Sequence, residues 1–164
     1  MRSIYKIVVC SLLTLSITSC EKDLLEKEQY QKEIYLIGAY NRVWTTEVSY
    51  SNEEVKTYFT VSSSGTLALD RDVNVKMKIN EELVDIYNKK YWTVLNEDKY
   101  YKSLDTDLYS IPSLENTVIK HAEGISAEVP VLIKTASLKI DQSYVIPVEI
   151  ESTTGYPISE SGYK

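Results

Sequence analysis

Asp72-Val73-Asn74-Val75-Lys76-Met77-Lys78-Ile79-Asn80 is the stretch that decides the fold. Val73, Val75, Met77 and Ile79 occupy one parity; Asp72, Asn74, Lys76, Lys78 and Asn80 occupy the other. Successive side chains point to opposite faces of a strand, so the stretch predicts a strand with one buried and one wet face. The same period runs outward in both directions. Upstream, Ile34 and Leu36 alternate with Tyr35 and Ile37, and Val55, Thr57, Phe59 and Val61 alternate with polar residues and Tyr58. Downstream, strands are predicted over residues 108–111, 117–120, 125–133 and 143–151. The last two would bury Ala127, Val129, Val131 and Ile133, then Tyr144, Ile146, Val148 and Ile150. Ser62-Ser63-Ser64-Gly65 and His121-Ala122-Glu123-Gly124 read as turns, with Gly124 able to supply a positive φ. Pro130 and Pro147 fall on the opposite parity of their strands, where each removes a ladder donor, so edges or bulges are predicted there.

One segment breaks the β pattern. Asn80 can accept from free amides of a first helical turn. Glu81 and Glu82 sit where the helix dipole favours negative charge. Ile79 and Val84 are placed for a hydrophobic staple. A short helix is therefore predicted over about 81–88, with Leu83, Ile86 and Tyr87 on its apolar side. An irregular stretch rich in Tyr and Lys follows over 89–107. Seven short strands, one helix and regular turns predict an all-β fold, an antiparallel β-sandwich with Greek-key connections.

The N-terminus reads as an export signal. Arg2 and Lys6 precede the apolar run from Ile7 to Leu15, which is too short to span a bilayer. Ile17-Thr18-Ser19-Cys20 then forms a lipobox: small residues enter a protease cleft, and the Cys20 thiol takes a diacylglycerol. The expected organisation is a signal peptide over 1–19, a lipidated Cys20 with a tether over 20–32, and a sandwich domain over 33–164. Glu21, Lys22 and Asp23, directly after Cys20, resemble a surface-export signal, which places the anchor in the outer membrane facing the exterior. The partner expected for the anchor is the membrane itself, through the acyl chains on Cys20.

All 24 acidic residues and all but two of the 18 basic ones lie from Cys20 onward, so that portion carries a net charge of −8. Such a balance argues against nucleic acid as a partner. With Cys10 in the signal and Cys20 lipidated, no thiol remains for a disulfide or a metal site, and packing must carry the fold. No cofactor is called for.

Asp72 to Ile79, Glu82 to Asn88, Thr117 to Lys120 before Ala122-Glu123-Gly124, and Tyr144-Val145-Ile146-Pro147-Val148-Glu149-Ile150 occur in a telling order. The chain resembles, over residues 30–160, the immunoglobulin-like N-terminal domain of unknown function found in many Bacteroidota cell-surface lipoproteins. The Tyr87-Asn88 pair and the Tyr-Val-Ile-Pro run are the more specific parts. The resemblance implies an immunoglobulin-like sandwich, a cell-surface address and an association with glycan utilisation. It supplies no catalytic residues. A polysaccharide or a neighbouring glycan-utilisation protein is then the expected further partner.

Candidate chemistry is sparse. Asp70, Asp72, Asn74 and Glu81 mimic a calcium loop, but Val75 stands where the sharp turn needs Gly, and an amphipathic strand accounts for them. His121 is the only histidine and reads as a solvated turn residue. The pairs Glu53/Glu54, Glu97/Asp98 and Asp105/Asp107 do not show the two carboxylates across a cleft that glycoside hydrolysis requires. No catalytic or metal site is expected, and the chain reads as a non-enzyme. Residues 87–109 are more informative, with Tyr87, Tyr91, Trp92, Tyr100, Tyr101 and Tyr109 among Lys89, Lys90, Lys99 and Lys102. The plainer reading puts Tyr87, Tyr101 and Tyr109 in the core while the lysines keep a long loop soluble. The functional reading makes Tyr91, Trp92, Tyr100 and Tyr101 candidate glycan contacts, their faces stacking on sugar rings. Two functions follow: a non-catalytic surface module assisting glycan binding or presentation, or a structural or protein-interaction sandwich with no ligand of its own. The polar tail after Tyr156-Pro157-Ile158-Ser159 further predicts that the domain lacks its last strand, leaving an open edge along 143–151.

Cys20→Ala is expected to abolish both lipidation and signal cleavage, since one thiol serves both steps. Fatty-acid label retained on the variant would contradict the lipobox reading.

Overall fold

Alternation builds two antiparallel sheets that share a core. The structure, a computed structural model, describes residues 26–39, 43–140 and 142–160. The expected signal peptide, the expected lipidation site Cys20 and the expected tether up to residue 25 lie outside the described residues. The first sheet has the order β1-β2-β7-β5: β1 is Ile34–Leu36, β2 Val55–Ser63, β7 Ser126–Ile133 and β5 Tyr109–Ser110. The second has the order β6-β3-β9: β6 is Thr117–Ile119, β3 Val73–Ile79 and β9 Val148–Thr153. A parallel pair, β4 (Lys102–Ser103) with β8 (Tyr144–Val145), lies apart from both. No helix among the described residues is long and apolar enough to cross a membrane.

The deciding strand behaves as its pattern requires. Val73, Val75 and Met77 are buried in β3, while Asn74, Lys76 and Lys78 are exposed. They pack with Ile119 and Ile150 of their own sheet and with Ile34, Val61 and Val129 of the other. Burying each such side chain contributes about 1.5–3 kcal/mol before entropy is counted. On the wet face, Lys76 pairs with Glu151 at 2.7 Å and Lys78 with Glu149 at 3.7 Å. Exposed pairs of this kind add about 0–1 kcal/mol each and mainly fix register.

A second cluster, Leu104, Val131 and Ile133, fills the other end of the first sheet, with Tyr144 and Ile146 packed against it. Here the sequence expectation of one strand over 143–151 needs correction. The chain is broken at Ile146 and Pro147 into β8 and β9, and its apolar side chains divide between the two clusters. Pro147 cannot donate to a ladder, but its carbonyl accepts from the Asn80 N–H at 2.9 Å. Pro130 lies in β7 opposite Tyr58. β5 pairs with β7 only at Leu132 and Ile133, so among the described residues that flank of β7 has no strand at Pro130, and a missing donor costs little.

β9 has β3 on one side and, among the described residues, no strand on the other. This edge is blunted: the register slips between Lys76 and Met77, leaving Glu151 as an extra residue that bends the strand. Past the turn at Gly155, whose φ is +86°, the chain reaches the first sheet. The Ile34 N–H donates to Pro157, Ser159 donates back to Ile34, and Ile158 forms a parallel bridge to Ile34. Residues that the sequence left without a strand role thus lie beside β1 over 157–159.

Other local differences are small. Ser62 and Ser63 are strand residues, buried at the end of β2, and the turn begins after them. That turn grips the segment before β1. The Glu28 carboxylate accepts from the Thr66 and Leu67 N–H groups and pairs with Lys32, and Ser64 Oγ donates to the Gln31 carbonyl at 3.0 Å. Together the Lys32 and backbone hydrogen bonds hold the Glu28 carboxyl down at about 2. Gly65 has φ +113°, and a Cβ there would come within 2.8 Å of the Lys32 side chain.

The division of faces is testable by urea unfolding. Met77→Ala is expected to cost about 2–5 kcal/mol and Lys78→Ala under about 1 kcal/mol. Equal losses would show that β3 does not separate a buried from a wet face.

Candidate functional site

The tyrosine-rich excursion between β3 and β4 starts with a helix, α1, over Glu82–Tyr91. It begins one residue later and runs three residues further than the sequence predicts. Asn80 still serves its first turn: its Oδ1 accepts from the Glu82 N–H at 3.2 Å. Glu82 and Asp85 lie in the first turn and Lys89 and Lys90 in the last, both favourable to the helix dipole.

The inward face keeps Leu83 and Tyr87, both half-buried, but not Ile86. Ile86 is 54% exposed; Val84 and Asn88, one turn apart, are the buried positions. Asn88 is only 4% exposed, and a buried amide must find partners. It finds two on one residue: Nδ2 donates to the Tyr101 carbonyl at 2.9 Å, and Oδ1 accepts from the Tyr101 N–H at 2.9 Å. The side chain thus bonds Tyr101 as a neighbouring strand would. The Asn88 carbonyl also accepts from the Trp92 N–H at 2.8 Å, closing the helix. The loop between, with a kinked 3₁₀ segment over Val94–Lys99, is spanned by this contact.

Four of the aromatics are thereby drawn towards one region. The Tyr87 ring lies 4.5 Å from Tyr91 and 5.5 Å, edge-on, from Tyr101. Tyr91 is 48% exposed and is the open member of this trio. Burial, with smaller contributions from Tyr101 and Tyr91, pushes the Tyr87 phenol up. Tyr100 and Tyr101 line an open groove of about 530 Å³ together with Glu81, Glu82, Asp85 and Glu97. Trp92 stands differently from the other candidates. It is half-buried, with Lys99 over its ring at 5.5 Å and its indole N–H buried without a hydrogen-bond partner. Lys90 lies 5.6 Å over the Tyr91 ring. Tyr109 packs against the Leu104 cluster, and burial, then Glu81, pushes its phenol up. Tyr109 therefore follows the core reading, while Tyr87 and Tyr101, which that reading also placed in the core, are half-buried beside each other.

Sequence reasoning missed three features. Asn88 was quoted for its resemblance but had no role; a polar residue four positions after Val84 was the available signal. Val94 and Leu95, 77% and 93% exposed, interrupt the polar loop with apolar side chains. Glu81 and Glu82 read as dipole partners, and Glu81 also as part of a calcium-loop mimic, but the groove that they line with Asp85 was not foreseen.

The remaining candidates are dispersed. Asp70 pairs with Arg71 and accepts from the Tyr156 hydroxyl, Asp72 accepts from His121, and Glu81 accepts from Ser103. The residues that mimic a calcium loop thus serve separate partners. His121 Nδ1 lies 2.6 Å from Asp72 Oδ1, and the bonds from His121 hold the Asp72 carboxyl below its usual range. Lys120 and Glu123 pair beside it at 2.8 Å.

Fold and site together define a β-sandwich domain bearing an open groove lined in part by Tyr100 and Tyr101. Residues 30–157 match a family model described as an N-terminal domain, and the chain belongs to that family. This agrees with the resemblance in the sequence to an N-terminal domain of Bacteroidota proteins. No curated protein matches the chain. Three solved structures from Bacteroides ovatus share the fold. One, of unknown function, is 13% identical with a TM-score of 0.57, over 75% of this chain and 40% of that one. A multidomain protein including DUF1735 is 16% identical with a TM-score of 0.53, over 62% of this chain and 33% of that one. A "putative carbohydrate binding protein" is 19% identical with a TM-score of 0.60, over 80% of this chain and 34% of that one. The chain thus spans well under half the length of each. None of the three is described as an enzyme.

Asn88→Ala removes both bonds to Tyr101 and leaves two part-buried backbone groups without these partners. It is expected to cost about 2–4 kcal/mol. In the same variant the tyrosine fluorescence should report a more solvated Tyr87–Tyr101 pair. A loss under about 0.5 kcal/mol would show that other contacts hold the excursion.

Proposed function

We propose that the chain is a non-catalytic module that assists glycan binding or presentation at the cell surface. In this reading an acyl anchor on Cys20 holds it in the outer membrane, facing the exterior, and the sandwich is of the immunoglobulin-like kind. The observation that carries it is the open Tyr91 ring, joined through Tyr87 to Tyr101 at the groove. Sugar rings offer apolar faces to such rings and hydroxyls to the carboxylates and phenols beside them. One structure of the same fold is named for carbohydrate binding, which supports the same reading. Of the four candidate contacts, Tyr91, Tyr100 and Tyr101 suit a ligand; Trp92, half-buried with Lys99 over its ring, suits one less.

A second reading has its own observation. Val94 and Leu95 project apolar side chains from the loop beside the aromatics, as the contact points of a protein interface do. In that reading the sandwich docks a partner protein and carries no ligand.

A glycan array probed with the full chain separates the two. Tyr91→Ala is expected to weaken the captured glycan about threefold to tenfold, the worth of one stacking contact. Its melting temperature should stay within about 3 °C of the parent. Absence of glycan binding, with partner capture lost in Leu95→Asp, would establish the docking reading instead.

A further inference from the structure

The groove has a sign. Glu81, Glu82, Asp85 and Glu97 line it against the single ammonium of Lys102. Elsewhere on the sandwich some acids are paired with a lysine, as in Lys76–Glu151, Lys78–Glu149 and Lys120–Glu123. In the groove, Glu81 accepts a hydrogen bond from Ser103, and among the described residues Glu82, Asp85 and Glu97 have no ion-pair partner. The Glu81 charge also reaches Tyr109, helping to raise its phenol. The tyrosines and the concavity make the site; the carboxylates set the charge a ligand meets there.

Ionised carboxylates only accept hydrogen bonds, and bonds to them are about twice as strong as neutral ones. A sugar hydroxyl or a protonated amine can donate to them. A uronate carboxylate or a sulfate ester cannot, and it is repelled. We infer that the groove selects uncharged or amine-bearing glycan segments and rejects uronate-containing and sulfated ones. This rests on the glycan reading above. The net three charges, taken at about 8 Å in water, weaken one anionic sugar about fivefold to tenfold at 10 mM salt. At 0.15 M salt, screening reduces the penalty to about threefold.

The test uses the full chain and oligosaccharides paired by backbone. Cello-oligosaccharides are set against their C6-oxidised forms, N-acetylchito-oligosaccharides against chitosan oligomers, and agaro-oligosaccharides against sulfated counterparts. In the cello- and agaro- pairs the anionic member should bind about fivefold to tenfold weaker than its neutral counterpart at 10 mM salt, and chitosan oligomers should bind at least as tightly as their N-acetylated forms. The gap should close as salt rises. The double variant Glu82→Gln, Asp85→Asn should narrow it to about twofold at 10 mM salt, since one net charge remains. An anionic member that binds as tightly as its counterpart, or tighter, overturns the selectivity while leaving the glycan reading intact. A panel in which nothing binds overturns both.

Discussion

The excursion that carries the site depends on the two hydrogen bonds between the Asn88 side chain and the Tyr101 backbone. A ten-residue helix is too short to persist alone in water. It must be held by tertiary contacts, and α1 buries little: Val84 and Asn88 are its only buried residues. An apolar residue at position 88 would add burial but would leave the Tyr101 N–H and carbonyl without partners. Asparagine offers one donor and one acceptor in a geometry that matches a peptide group. It therefore serves as a one-residue strand, registering the helix against the start of β4. The Tyr87–Tyr101 contact and the tyrosine-lined wall of the groove follow from that register.

The sandwich supplies the rigid ground beneath. β3 enters the helix directly, and Asn80 marks the junction with bonds to both sides: its N–H goes to Pro147, its Oδ1 accepts from Glu82, and its Nδ2 donates to Glu149 at 2.8 Å. The excursion is thus tied at its start to the break between β8 and β9. At its end it is tied through β4 to β8, and Leu104 donates to the Val145 carbonyl at 2.9 Å. One proline-broken segment therefore holds both ends of the tyrosine-rich insertion. Pro147 fits there because the break needs a carbonyl and no donor.

Much of the fold was legible because strand periodicity is strict. A one-residue error in β3 would expose Val75 and Met77 and bury Lys76, so the pattern admits one answer. Predicted strand bounds around β6 and β7 differ from the structure by a residue. The break at Pro147 was less legible: parity says where a proline may sit, but not that its neighbours pack in different clusters. The helix face was read correctly at Leu83 and Tyr87 but wrongly at Ile86, which looks apolar in sequence, whereas the burial of Asn88 rests on a partner thirteen residues away. Tyr101 in turn gave no sign that its backbone, and not its ring, makes the decisive contact. The groove was illegible for the same reason: Glu81 and Glu97 meet only after the loop has folded back.

The central claim, that Asn88 registers the excursion, is tested most directly by hydrogen exchange at the Tyr101 amide. That N–H lies outside any strand ladder and beside a loop, yet it is bonded to a buried acceptor. The expected result is protection close to that of the β3 amides and far above that of residues 94–99. Exchange of the Tyr101 amide as fast as the loop's would mean that the bond to Asn88 is not held in solution, and the account of the site would fail with it.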